Sequence, residues 1–177
     1  MQNREIAEVG GGVRKNFEKN PFNICNNQKS FLTFGVDKNK DTSNTIFTME
    51  NNFDKVKNYL LDLEYSIVKE DAENGIFVIS KETEGIKNMV LVCADPILVL
   101  EQPMFELKNA TAAILEALLK KNREIVHGAF AIDDNNRVIF RDTLELENLD
   151  LNELEGSLNS LTMLLSEYGA QLVEFAK

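Results

Sequence analysis

The residues that could carry out chemistry are few, because the chain of 177 residues contains one histidine and two cysteines. His127 could act as a general base near neutral pH. It lies where a predicted helix passes into a strand, a position at which a histidine more often bonds the backbone. No nucleophile motif accompanies it. Cys93 lies inside an apolar strand, where burial raises a thiol pKa. The sequence predicts no catalytic residue.

Metal and cofactor sites are also not indicated. Structural zinc requires four Cys or His ligands in close pairs, which this chain does not provide. The run Asp133–Arg137 lacks the alternating ligands, central glycine and final glutamate of a calcium loop, and is typical of a tight turn. Gly10–Gly12 is not followed by the Lys-Ser/Thr pair of a phosphate loop. We therefore predict no metal and no cofactor.

The charge balance excludes two classes of partner. A net charge of -10 opposes binding to nucleic acid and to anionic lipid, both of which require clustered basic residues. No apolar run reaches the roughly 18 residues of a membrane span. The N-terminus lacks the apolar region of a secretory signal. Because no apolar run is long enough, we expect a protein that does not insert into membranes. Because Cys25 and Cys93 are far apart and indicate no disulfide framework, we expect it in the reducing cytoplasm.

The composition divides the chain into two parts. Residues 1–48 contain seven basic and five acidic residues, whereas residues 49–177 contain 12 basic and 24 acidic ones. The first part is rich in asparagine and its apolar residues follow no regular period, so we expect a poorly ordered leader. It could be a flexible arm, or contribute an edge strand at Ser30–Phe34. It could also lie outside the natural product, with Met49 as the true start.

The second part predicts an α+β domain with the order α-β-β-β-α-β-β-α, in which helices pack on an antiparallel sheet. Apolar spacings of three and four mark a first helix over 53–64 and a second helix capped by Asn109. A three-stranded meander lies between them. Its last strand, Met89–Cys93, is apolar throughout, as in strands covered on both faces. The Asp/Asn run at 133–136 predicts the turn of a second hairpin.

The final helix has the most regular pattern. Its apolar residues step by three and four over three heptads, at Leu151, Leu154, Leu158, Leu161, Leu165, Tyr168 and Leu172. This seam could form a coiled-coil dimer contact. The additional apolar residues Met163 and Leu164 widen the stripe and favour packing on the sheet instead.

Three stretches carry a resemblance to a known family. They are Met104–Leu118, Asn122–Asp134 and Val138–Leu144, followed by the leucine-rich last helix. In this pattern a helix ends in Asn-Arg, a Gly-x-Phe-x-Ile-Asp strand follows, and the next strand carries Arg141. Over about residues 50–175 the chain resembles the YbjN-like proteins, which share the fold of the type III secretion chaperones, including the Tir-chaperone group.

This resemblance implies a small acidic cytoplasmic homodimer that binds a segment of a partner protein. We expect a non-catalytic chaperone-like or adaptor module that uses a sheet edge or apolar strips. The candidate partner-binding residues are Tyr59, Leu61, Phe77 and Ile79. One alternative is a regulatory protein of envelope or stress physiology that acts through a membrane-associated partner. Another is an enzyme of unrecognised type, which would require a pocket around His127, Arg123 and Arg141.

Overall fold

The computed structural model describes the backbone of residues 42–177 and the side chains from residue 52 onward. The expectations for residues 1–41, including the edge strand at Ser30–Phe34, lie outside the described residues. The elements are α1 (Thr42–Asp62), β1 (Ser66–Asp71), β2 (Ile76–Lys81), a 3-10 helix (Glu82–Glu84), β3 (Ile86–Ala94), β4 (Ile97–Glu106), α2 (Ala112–Lys121), β5 (Ala129–Ile132), β6 (Arg137–Glu145) and α3 (Leu151–Phe175).

The six strands form one antiparallel sheet in the order β1-β2-β3-β4-β6-β5. The predicted α+β class and the packing of helices on an antiparallel sheet are confirmed. The predicted order lacked one strand, β4. Its pairing with β6 runs from Ile97 opposite Glu145 to Glu106 opposite Arg137. This pairing joins the meander β1–β4 to the hairpin β5–β6.

The two prolines that suggested an interruption are accommodated at the end and at an irregularity of β4. Pro96 follows a cis peptide and lies in the turn between β3 and β4. Pro103 lies where the register with β6 shifts. A proline is tolerated at such positions because no ladder hydrogen bond from its nitrogen is required there. Pro96 therefore lies just before β4, Pro103 lies at its irregularity, and neither proline prevents the strand from forming.

The core lies between the sheet and the helices. α1 contributes Phe53, Val56 and Leu60, which are buried as the helical spacing predicts, although the helix begins at Thr42 rather than at residue 53. After the helix, Glu64 adopts a left-handed backbone conformation with a φ of 60°. The Tyr65 amide donates to the Leu60 carbonyl and so caps the end of the helix. Phe53 stacks on Phe77 of β2 with ring centroids 4.1 Å apart.

The last helix packs on the sheet through its leucine seam. Leu154, Leu158, Leu161 and Leu172 are buried in the shared core, which confirms intramolecular packing for this stripe. Asp150 caps the helix by accepting from the Glu153 amide at 2.8 Å. The N-cap of α2 is Thr111, whose hydroxyl accepts from the Ile114 amide, and not Asn109 as predicted.

Gly128, which precedes β5, occupies a position that only glycine fits. Its φ is +77°, and a Cβ built on it would lie 2.5 Å from Cζ of Phe140 and 2.9 Å from the Arg141 carbonyl oxygen. Both neighbours belong to β6, so this close approach sets the distance between the start of β5 and its partner strand.

We predict that Gly128→Ala destabilises the domain by at least about 2 kcal/mol. Overpacking alone costs roughly 1–3 kcal/mol, and left-handed backbone costs roughly 1–2 kcal/mol for a residue with a Cβ. Gly169→Ala in α3 is the matched control, because an added Cβ there meets nothing within 4 Å. The control gains up to about 1 kcal/mol of helix propensity. Urea unfolding measures both, and equal stabilities of the two variants would contradict this account.

Candidate functional site

Two of the four predicted partner-binding residues are in the core. Phe77 and Ile79 have no accessible surface, so the prediction that they face outward is wrong. Both lie on the helix-covered side of β2, with Phe53 stacked on Phe77. The sequence did not show this because all four residues of Ile76–Ile79 are apolar and therefore give no alternation. In this structure neither residue can contact a partner without opening the core.

The other two candidates, Tyr59 and Leu61, lie on opposite flanks of α1. They are two positions apart in the chain, and this spacing corresponds to a rotation of about 200° around the helix axis. Tyr59 is half-buried against the core, whereas the side chain of Leu61 is 53% exposed. Leu61 follows Lys57 by one turn, and Lys57 Nζ bonds Glu70 of β1 at 2.8 Å. Leu61 is therefore on the β1 side of the helix. The four predicted residues do not form one surface.

An exposed apolar residue on β1 was missed by the sequence reasoning. Val68 is 58% exposed and lies at an irregularity where the register with β2 shifts between Ile67 and Lys69. The alternation of inward Ile67 with outward Val68 was the signal that could have identified it. We name Leu61 and Val68 the α1–β1 flank. The two residues belong to elements that the Lys57–Glu70 ion pair links.

A second apolar surface, also missed, is carried by α2. Leu118 is the one buried residue of this helix, whereas Leu119 is 68% exposed and Val126, in the turn after it, is 81% exposed. Leu115, one turn before Leu119, is half-buried. We name Leu115, Leu119 and Val126 the α2 surface. Its signal in the sequence is that Ala112–Leu119 is apolar on more of its circumference than one contact face requires.

A cleft lies between the end of α1, the 3-10 helix and α3. It has a volume of about 220 Å³ and is lined by Asp62, Leu63, Glu64, Tyr65, Lys81, Glu84, Glu155, Leu158 and Asn159. Lys81 Nζ bonds Glu84 at 2.7 Å and the Leu63 carbonyl at 3.0 Å, and the Tyr65 hydroxyl donates to Glu84 at 2.9 Å. These contacts link the end of α1 to the 3-10 helix.

The electrostatics of this cleft are those of a structural contact. The hydrogen bond from Lys81 lowers the Glu84 pKa, desolvation opposes this, and the Tyr65 hydroxyl adds to the lowering. Burial, together with the neighbouring Glu84 carboxylate, raises the pKa of Tyr65. At neutral pH Glu84 is thus a carboxylate held by two donors, and Tyr65 is a neutral donor. Neither group is activated as an acid, base or nucleophile.

The enzyme hypothesis required His127, Arg123 and Arg141 to line one pocket, and the structure does not bring them together. His127 is held through its backbone by Ser160, whose hydroxyl accepts from the His127 amide and donates to its carbonyl. Its ring lies beside Gly156 of α3. Arg141 alternates with the core residue Phe140, so it is on the opposite face of the sheet, where it pairs with Glu101.

The nucleophile candidates are also buried. The Ser157 hydroxyl donates to Asp142 Oδ2 at 2.6 Å and has no accessible surface, so in this structure no substrate can reach it. Burial raises the pKa of the Cys93 thiol to about 12. Among residues 52–177, no group of three His, Cys, Asp or Glu side chains could hold a metal ion. No described helix is long and apolar enough to cross a bilayer.

We predict that Glu84→Gln lowers stability at pH 7 by up to about 1 kcal/mol, the usual size of a partly exposed ion pair. Because the folded pKa of Glu84 is lowered, its contribution is complete above the usual carboxyl pKa and disappears as the pH falls through the folded value. The difference between Glu84→Gln and the wild type should therefore vanish in acid. Urea unfolding at pH steps from 7 to 2 measures this.

The control for this prediction is Glu82→Gln, which removes an exposed carboxylate from the same 3-10 helix. It should leave stability within about 0.5 kcal/mol of wild type, as surface substitutions usually do. A Glu84→Gln effect that is absent at pH 7, or that persists undiminished at pH 2, would contradict the assigned role of Glu84.

Comparisons with solved structures identify proteins with a similar fold. The structure of the HopA1–SchA chaperone–effector complex contains a chain that is 16% identical, with a TM-score of 0.51, covering 72% of this chain and 96% of that one. The E. coli protein YbjN, a candidate transcription regulator, is 13% identical with a TM-score of 0.51, covering 67% of this chain and 91% of YbjN. At these identities the likeness shows the fold.

The family is shown by the sequence itself. A search of curated proteins gave no significant match. The family model described as CesT_Tir_1 matches residues 49–177, which is most of the chain and includes every strand of the described sheet. The predicted resemblance to YbjN-like proteins and type III secretion chaperones is confirmed. The chain belongs to the CesT_Tir_1 family.

Proposed function

We propose that residues 49–177 form a cytoplasmic, non-catalytic protein-binding module, chaperone-like or adaptor, which acts as a homodimer and binds a segment of a partner protein. The α2 surface carries this proposal. A large exposed apolar area on a soluble domain costs free energy unless a partner covers it. In the described residues, the most exposed large apolar side chains include Leu119 and Val126, which lie on one helix and its following turn.

We assign self-association to the α2 surface because α2 is held weakly within its own chain. One fully buried residue, Leu118, and the half-buried Ile114 and Leu115 anchor this ten-residue helix, whereas α3 has seven buried residues along its length. Two copies that meet through Leu115, Leu119 and Val126 would cover the same apolar residues on both sides, which is the property of a two-fold interface. The leucines are the residue type that such a helical contact uses.

We assign the partner segment to the α1–β1 flank. Leu61 and Val68 are exposed, and they belong to elements that the Lys57–Glu70 ion pair holds together. Residues 49–177 contain 24 acidic and 12 basic residues. An apolar segment with basic flanks would therefore fit both the exposed side chains and the surrounding charge.

The comparisons support this proposal through the fold and the family. The chain belongs to CesT_Tir_1, and a similar fold occurs in SchA, which was solved in a chaperone–effector complex. A role in envelope or stress regulation through a membrane-associated partner would use the same two surfaces. It would differ in the identity of the bound protein, so the captured partner distinguishes the two.

We predict that Leu119→Glu shifts the protein from dimer to monomer at concentrations where the wild type is dimeric. Two symmetry-related carboxylates at the centre of the interface would face each other without a counter-charge. Sedimentation equilibrium between about 1 and 100 μM should show a dimer dissociation constant at least tenfold larger than that of the wild type. This change corresponds to a loss of about 1.4 kcal/mol in the free energy of association.

The control for the dimer is Met163→Glu on α3, because Met163 is 69% exposed and thus matches Leu119 in exposure and in added charge. This variant should dimerise as the wild type does. A monomeric wild type at 100 μM, or equal weakening by Met163→Glu, would exclude the α2 surface as the dimer contact.

We predict that Leu61→Glu abolishes capture of a partner from native lysate while leaving dimerisation unchanged, since the substitution adds a charge where an apolar side chain must pack. Val173→Glu is the control, because Val173 is 61% exposed on α3. Quantitative mass spectrometry of proteins that co-purify in stoichiometric amounts provides the readout. Retention of the same partner by Leu61→Glu would exclude the α1–β1 flank.

A further inference from the structure

Asn122 links the end of α2 to the outer edge of the sheet. It is the C-cap residue of α2, and its side chain makes two hydrogen bonds to the backbone of Phe130 in β5. The Phe130 amide donates to Oδ1 at 2.8 Å, and Nδ2 donates to the Phe130 carbonyl at 3.2 Å. The side-chain amide of Asn122 therefore forms hydrogen bonds with both the N–H and the C=O of Phe130, as a residue of a neighbouring antiparallel strand would.

The bonded groups are those that point away from the sheet. β5 is outermost in the sheet that the described residues form, with β6 as its neighbour. At the turn of the hairpin the Asp133 amide donates to the Arg137 carbonyl, so Asp133 and every second residue before it direct their backbone groups toward β6. Phe130 is out of phase with Asp133. Its N–H and C=O are therefore directed outward, to Asn122.

The backbone of His127, two residues before β5, is also bonded by a side chain. The Ser160 hydroxyl of α3 accepts from the His127 amide at 3.2 Å and donates to the His127 carbonyl at 3.0 Å. The Asn122 side chain thus bonds the backbone within β5, and the Ser160 side chain bonds the backbone before it. Because an outer strand with unpaired backbone groups recruits other strands, the Asn122 bonds close an edge that would otherwise accept one.

We propose that the β5 edge is a strand-addition surface for a second copy of this chain, and that Asn122 keeps it closed. The Ala-Phe-Ala-Ile composition of β5 has no charge and suits it to antiparallel pairing with itself, whereas its short length and the Asn122 bonds limit that pairing. With Asn122 in place, self-association through this edge requires two hydrogen bonds to be broken. The closed edge directs association to other surfaces of the domain.

Asn122→Ala tests this proposal. The substitution leaves the Phe130 N–H and C=O without their side-chain partner, so sedimentation velocity should show species larger than those of the wild type that grow with concentration between about 5 and 200 μM. Hydrogen exchange at the Phe130 amide, measured at the lowest concentration, should accelerate at least tenfold. Asn122→Asp retains the acceptor for the Phe130 amide but cannot donate, and should show an intermediate exchange rate and weaker association.

Ser160→Ala is the matched control, because it removes two backbone bonds from His127, which lies outside the strand, and leaves Phe130 paired. It should lower stability without producing larger species. Faster Phe130 exchange in Asn122→Ala without larger species would show that the contact is only structural and would overturn the proposal. Unchanged exchange and unchanged association would overturn it as well. If Asn122→Ala does not fold, the same two readouts on Asn122→Asp decide the question.

Discussion

The pairing of β4 with β6 is the interaction on which the remaining structure depends. It joins strands about 40 residues apart in sequence and makes one sheet from the meander and the second hairpin. The core residues Leu98 and Leu100 of β4 lie on the same side as Val138 and Phe140 of β6, under the helices. On the opposite face Glu101 pairs with Arg141 across the same two strands. Without this pairing, α3 would have no continuous surface to cover.

The helices differ in how firmly this sheet holds them. α1 and α3 bury continuous stripes. α1 is fixed further by Lys55, whose Nζ donates to the Leu146 carbonyl, and at its C-terminal end by the Tyr65–Glu84–Lys81 contacts. α2 buries Leu118 and is held at its end by the Asn122 bonds. Of the seven large apolar side chains that are exposed among the described residues, Leu119 and Val126 lie on α2 and in the segment after it, where the internal packing is weakest. This distribution is the physical basis for the proposal that α2 contacts another chain.

Much of the fold could be predicted from sequence, because the helical stripes and the Asp/Asn turn are local patterns. The strand β4 could not, since Pro96 and Pro103 were interpreted as interruptions before the tertiary positions of the turn and the irregularity were known. The burial of Phe77 was hidden by four consecutive apolar residues in β2. The role of Asn122 depends on which strand is outermost, and no local pattern shows that. The role of Tyr59 and Leu61 in partner binding remains a prediction. The enzyme hypothesis required one pocket around His127, Arg123 and Arg141, and the structure does not bring these residues together.

We propose that the domain associates with protein through the apolar α2 surface. Hydrogen–deuterium exchange of the wild-type protein at about 1 and 100 μM tests this most directly, because it reports every backbone amide without a substitution. We expect the protection of residues 112–127 to increase with concentration, while the protection of β2 and β3 in the core is unchanged. Protection that is the same at both concentrations throughout residues 112–127, or that increases only elsewhere in the chain, would contradict it.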